Sequence, residues 1–392
     1  MTVSSKPHIV LVDIWRVVNA KGGTEKVFCE MANELTKRGY KVTAICHDEN
    51  QGSPGFELHD EVQFINTYQK PSIFDLEPIR SIRAFSFNRE KRRGKRYFIS
   101  SFWKAENIKR SLELWKDADV IISYQPQTTY ILKEILKIDK PVITMFHLTP
   151  AKFISRQSYV SCRDAVGSSA YIQVLLPEYA DIIKQVHPNT KVVCIPNVAP
   201  QYDKVSPLTE KNILNVARVL RQKRPELLIE AFALLKDQYP DWKCEWYGES
   251  DLHKEYGTYI RSLIKNKNLE DRFLLKGPTS EVGEKLRSGS IFAFPSEFEG
   301  LSLALLEAMS AGLPVVGCQD CPSMKSMIQD DVNGFLVQPQ PKEFATALAK
   351  LMDSYELRQK LGNQSKQISL AYSPDTVWQK WDNLLKVVVN NK

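Results

Sequence analysis

The chain has 392 residues, a formal net charge of +7 and 43% apolar residues, which at ~150 residues per domain allows two full-sized cores, or three. The charge is local: residues 80–110 hold eleven Lys/Arg against two Glu, or +9, and the remaining 361 residues sum to −2. That distribution excludes a uniformly basic nucleic-acid coat. No apolar run reaches the ~20 residues of a membrane span. The start, MTVSSKPHIVLVDIW, lacks a basic leader and is interrupted by Asp13, so it reads as a strand and not a secretory signal. Seven Cys, scattered singly apart from Cys318 and Cys321, suit free thiols in a reducing cytosol.

Strand-like and helix-like segments alternate along the whole chain, the pattern of parallel sheets covered by helices on both faces. The strand HIVLV leads into a helix from Thr24 to the Gly39 stop, and then into the strand KVTAIC. A helical stretch at 98–116 precedes DVIIS, and another at 127–137 precedes PVITMF. YIQVLL and KVVCIP follow as later strands. Each run is short and bounded by Pro, Gly or charge, as strands buried on both faces should be.

The alternation restarts with NILNVA and with Pro225 opening a helix. WKCEWYG, RFLLKG, SIFAFP and PVVGC complete a second sheet. Between the halves, IPNVAPQYDKVSPLTEK carries three Pro and no periodicity. The expected organisation is an N-terminal domain at 1–196, a linker at 197–211 and a second domain at 212–372. An amphipathic helix at 373–392 is expected to pack back on the first domain.

Two doubly wound α/β domains facing a central cleft would gather the C-terminal ends of both sets of strands, where ligands bind in open α/β sheets. Gly22, Gly23, His147, Arg218, Gly248, Glu297 and Glu299 all follow strands and are candidates on that ground. The richest stretch is PSEFEGLSLALLEAMSAGLPVVG at 295–317. A strand ends at Pro295, an acidic loop follows, and a helix runs from Ser302 to Gly312. The free N–H groups of its first turn, with the helix dipole, favour a phosphate. Glu307, one turn further, can accept two hydrogen bonds from a diol such as a ribose. A surface helix with two solvated Glu residues fits the same spacing.

Glu299 and Glu307 with seven residues between them, followed by AMSAGLPVV, resemble the E-x7-E signature of the retaining glycosyltransferases of family 4, the group 1 transferases with the GT-B fold of two Rossmann-like domains. Arg218 and Lys223 in ARVLRQKRPELLIEAFALL match the Arg and Lys that the family sets on the donor pyrophosphate. AKGGTEKVFCEMANELTKRGYKVTAI, with Gly22 and Gly23, matches its N-terminal glycine loop; His147 in VITMFHLTP and IPN at 195–197 also fall in family order. The match is strong over 212–335, fair over 8–47 and 141–197, and absent over 50–115.

The resemblance implies a retaining transferase that moves a hexosyl or N-acetylhexosaminyl unit from a nucleotide-diphosphate sugar to a hydroxyl of a glycan or lipid-linked acceptor. It implies no metal and no cofactor besides the donor substrate. Arg218 and Lys223 would stabilise charge on the departing phosphate, Glu299 would hold sugar hydroxyls and Glu307 the ribose diol. Gly23 would admit phosphate close to the backbone, with Gly22, Gly248, Gly300, Leu301, Ser302 and Leu303 completing the donor site. His147 would contact the sugar or help the acceptor. Another GT-B reaction, an epimerase or a phosphorylase, and a non-catalytic glycan- or lipid-binding relative remain open.

Two features depart from the family. CQDCPSMKSMIQDD, after PVVG, has Cys321-Pro322 where glycines are usual, and lacks the carboxylate that usually follows them. LSLALL replaces the usual Phe-Gly, although Ser302 can cap a helix. Cys318 and Cys321 have no second pair or His partner and read as a chance C-x-x-C. Phe98, Phe102, Ala105, Ile108, Leu112 and Trp115 recur at helical spacing as a core-facing stripe. The run NREKRRGKR at 88–96 is not core. It is either a solvated loop or a contact for an anionic membrane surface or a lipid-pyrophosphate acceptor. Nucleic acid is not expected as a partner, and the expected place is the cytoplasm, at most peripheral at the inner face of the cell membrane.

Overall fold

The computed structural model describes residues 6–70, 100–250 and 252–391; the basic run at 88–96 and Phe98 lie outside them. The chain divides into two compact units, Met1–Pro196 with Trp378–Lys392, and Asn197–Val377. Each is an α/β unit around one parallel sheet.

In the first unit the strands are β1 (His8–Asp13), β2 (Lys41–Cys46), β3 (Gln63–Asn66), β4 (Val120–Ser123), β5 (Val142–Met145), β6 (Tyr171–Val174) and β7 (Val192–Cys194), in the order 3-2-1-4-5-6-7. β1 is buried at every position, so its run HIVLVD shows no alternation, as expected when helices cover both faces. The sheet reverses direction of growth between β1 and β4, which pair from Ile9 with Val120 to Val12 with Ser123.

The second unit holds β8 (Asn212–Val216), β9 (Lys243–Tyr247), β10 (Phe273–Gly277), β11 (Ile291–Phe294), β12 (Val315–Cys318) and β13 (Gly334–Val337), in the order 10-9-8-11-12-13. Its switch point lies between β8 and β11, where Ile213 pairs with Ile291 and Leu214 with Phe292. In a doubly wound sheet the ligand crevice opens beyond the carboxyl ends of the strands at such a point. The core of this unit gathers Trp246, Phe232, Phe273 and Phe344 around the sheet.

Two expectations differ from the structure. The stretch 197–211 is built into the second unit: Ser206 and Leu208 are buried, and the Ser206 hydroxyl donates to the Gly289 carbonyl at 2.5 Å. The helical stretch expected over 98–116 is helical at 100–109 and then tightens to a 3₁₀ turn at Leu112–Leu114. Its stripe holds at Ala105, Ile108 and Trp115, but Phe102 is 44% exposed. The helix Pro374–Asn390 crosses the unit boundary at Val377, and from Trp378 on it folds with the first unit. Asp382 there accepts from the Arg38 guanidinium at 2.7 Å.

Candidate functional site

In the second unit the loop after β8 and the loop after β11 are stitched together residue by residue. Gln222 donates its amide to the Phe298 carbonyl at 2.6 Å, and the Glu297 backbone N–H donates back to the Gln222 carbonyl at 2.9 Å. The next residue, Lys223, pairs with Glu299, Nζ to Oε1 at 2.5 Å, and its ammonium lies 5.4 Å from the centre of the Phe294 ring. Both side chains are largely buried, at 15% and 9% exposure. A cation and a carboxylate withdrawn from water together interact far more strongly than a surface pair and exert that interaction on any ligand between them. Arg218, four positions past the middle of β8, is exposed.

Gly248 follows β9 with φ +154. A Cβ there would stand 2.0 Å from the Ala217 carbonyl oxygen, which already accepts from the Trp246 indole at 2.6 Å. Packing of the β9 end against the β8 loop therefore requires glycine at this position.

The helix Leu303–Ser310 starts as the sequence suggested. Ser302 is its N-cap, in extended conformation, and its hydroxyl accepts from the Leu305 N–H at 3.4 Å. The preceding residues are fixed through Leu301, which is buried and whose carbonyl accepts from the Asn197 amide at 2.8 Å. Gly300 and Leu303 flank this turn. Glu307 is buried on the helix. Near it is Tyr202, from the stretch read as a linker, whose hydroxyl is pushed above its usual range by burial first and by the Glu307 charge second.

The first unit places Gly22 at the N-cap of the helix Gly23–Lys37 and Gly23 at its first residue. His147 follows β5 with its ring stacked on Tyr124, centroids 4.9 Å apart and 19° from parallel. Burial pushes its pKa down to about 4, so at neutral pH it is an uncharged imidazole; its Nε2 is buried without a hydrogen-bond partner among the described residues. At the ends of β1 and β4, Asp13 accepts from the Trp15 N–H at 3.1 Å and from the Gln125 amide at 2.7 Å. Burial raises the Asp13 carboxyl to about 6.

Sequence reasoning did not single out Asp13, Tyr202 or the ion pair of Arg224 with Asp320, at 3.0 and 2.7 Å. The position of Arg224 before Pro225 was a usable signal, because a residue before proline is driven out of the right-handed helical region. Cys318 and Cys321 are free and buried, and burial pushes the Cys318 thiol up to about 12, which makes it a poor nucleophile. Among the described residues no group of His, Cys, Asp and Glu is clustered to hold a metal, and no helix is long and apolar enough to cross a membrane.

Residues 201–368 match the family model of the glycosyl transferases group 1, and residues 21–200 that of glycosyltransferase family 4. An uncharacterized glycosyltransferase of Haemophilus influenzae is 24% identical over 375 residues, 94% of this chain and 97% of its own. The amylovoran biosynthesis glycosyltransferase AmsD of Erwinia amylovora is 23% identical over 392 residues, covering 96% of this chain and 99% of its own. Sucrose-phosphate synthase of Thermosynechococcus elongatus superposes with a TM-score of 0.79 at 17% identity, covering 99% of this chain and all of the other. At that identity the likeness speaks for the fold, which is GT-B.

Proposed function

Starting from a chain that belongs to the glycosyl transferases group 1 and is a GT-B glycosyltransferase, we propose that it transfers a hexosyl or N-acetylhexosaminyl unit, with retention, from a nucleotide-diphosphate sugar to a hydroxyl of a glycan or lipid-linked acceptor. The observation that carries this is the buried Lys223–Glu299 pair at the switch point of the second sheet. A lysine and a carboxylate held in contact serve the two halves of such a donor: the ammonium takes a pyrophosphate oxygen, and the carboxylate it leaves accepts hydrogen bonds from sugar hydroxyls.

Arg218, exposed at the end of the same strand, adds a guanidinium that can fork onto two phosphate oxygens. The charge that grows on the leaving phosphate is met by these two cations and by the N–H groups before the helix Leu303–Ser310. On this reading turnover needs no divalent metal, and full activity in a chelator supports it. Glu307 takes the ribose diol, with Gly22, Gly23 and a neutral His147 serving the donor and acceptor from the first unit.

The name of the Erwinia relative supports a place in surface polysaccharide synthesis. We assign the basic run 88–96 to an anionic membrane face or a lipid-pyrophosphate acceptor; vesicle binding that does not weaken with salt contradicts the membrane half of that assignment. The enzyme then works in the cytoplasm at the inner membrane face. Thermal shift over UDP-, GDP- and ADP-sugars identifies the donor, since a ligand at 100 times its Kd adds about 2.7 kcal/mol. The anomeric proton coupling of the product then reads the stereochemistry. An inverted anomer overturns the retaining assignment.

A further inference from the structure

We propose that Arg224 and Asp320 form a latch that positions Lys223 on the leaving phosphate, so that Arg224 is a positioning residue for transfer. The inference rests on the reading of Lys223 and Glu299 as donor-site groups given above.

Arg224 adopts φ 47, ψ 50, a left-handed conformation that glycine enters freely and other L residues enter at a cost. The location explains the conformation. Arg224 closes the 3₁₀ turn Arg221–Lys223, donating its N–H to the Arg221 carbonyl at 3.0 Å, and opens the helix Pro225–Leu235. Pro225 forbids a continuous helical path through it. The turn therefore demands a left-handed residue but does not demand an arginine.

The side chain supplies the reason for one. Its two terminal nitrogens meet the two Asp320 oxygens at 3.0 and 2.7 Å, the forked geometry in which a guanidinium fixes direction as well as distance. Asp320 sits between β12 and the helix Pro322–Met327. The neighbouring Cys321 thiol accepts the Glu299 backbone N–H. The 319–321 loop thus grips both members of the catalytic pair: Lys223 through its chain neighbour Arg224, and Glu299 through its own backbone. The latch is part exposed, 22% and 37% at the two side chains, and pairs so placed contribute little to stability. A strained residue carrying a weakly stabilising pair beside a catalytic lysine is accounted for by positioning, where a displacement of ~1 Å can cost ~100-fold in rate.

The test uses Arg224→Gly, Asp320→Asn and the double variant of the full chain. Glycine keeps the left-handed turn and removes the side chain that reaches Asp320 and the Cys318 thiol, so Arg224→Gly, relieved of its backbone strain, should melt at or above the wild-type temperature. Both single variants should lose at least tenfold in kcat at saturating donor with acceptor KM unchanged, and the double variant should lose no more than either single. A kcat within twofold of wild type in Arg224→Gly overturns the latch. So do additive losses, which would mean that Arg224 meets the phosphate directly. A wild-type chain that turns over no nucleotide sugar defeats the donor-site reading instead, and that outcome is visible before any variant is made.

Discussion

Glu307 and Asp13 are both buried carboxylates, one in each unit, and their environments give them different uses. Glu307 lies one turn into a helix whose N-terminus faces the β11 loop, so Glu307→Gln, which keeps the shape and loses one acceptor, should raise donor KM about tenfold or more with kcat less affected. Initial rates over a donor series check this. Asp13 tells of cost: its native carboxyl titrates near 6, above the unfolded value, so the charged form is disfavoured by folding. That penalty is fully present above pH 6 and is relieved as pH falls through 6 toward 4. Asp13→Asn keeps the oxygen that accepts from Trp15 and Gln125, and should stabilise the protein at pH 7.5 by on the order of 2 kcal/mol, a gain that vanishes near pH 4. His47 and His147, pushed down to about 4 by burial, act in the opposite sense. Their neutral forms are held by the fold, and the stability they contribute is whole above about 6.5 and is lost as pH falls toward 4. Melting temperatures of wild type and Asp13→Asn across pH 4–8 separate the two effects.

At the scale of elements, what was legible in the sequence followed burial. β1, β8, β11 and β12 are central strands whose apolar runs end at Pro, Gly or charge, and their positions could be read directly. The edge strands β3 and β13 were not seen: each has four residues, and QFIN at an edge has neither a long apolar run nor clean alternation. The cap at Ser302 was legible because a small hydroxyl residue ahead of an apolar run has one common use. The ties between loops were not, because Lys223–Glu299 and Arg224–Asp320 join residues 76 and 96 positions apart and no local pattern encodes such pairs. Gly248 shows an element-level constraint that also resembles a site signal. Gly248→Ala should cost more than about 2 kcal/mol, because a Cβ collides with the Ala217 carbonyl at 2.0 Å in a backbone conformation side chains avoid. Chemical denaturation measures this, and a stability loss under 0.5 kcal/mol would contradict the packing requirement at Gly248.

For the whole molecule, the chain passes from the first unit to the second and returns at its end. Trp378, Trp381, Leu384, Leu385 and Val388 are buried, each worth ~1.5–3 kcal/mol of apolar burial, and Asp382 ties to Arg38. Ending the chain at Ser373 should therefore unfold the first unit, read as lost near-ultraviolet dichroism and protease resistance over residues 6–196. The net charge of +7 belongs to the 80–110 segment, and the glycosyltransferase family 4 model, matched over 21–200, spans that segment. In the second unit, by contrast, Lys223 is paired with Glu299 and Arg224 with Asp320. The central claim is that this unit stabilises a departing nucleoside diphosphate. Its most direct measurement is nucleoside-diphosphate release by the full chain, with and without acceptor, for wild type and Arg218→Ala at matched stability. Release by the wild type should depend on acceptor and should fall about 100-fold or more in the variant. Release at the wild-type rate from Arg218→Ala would contradict that claim.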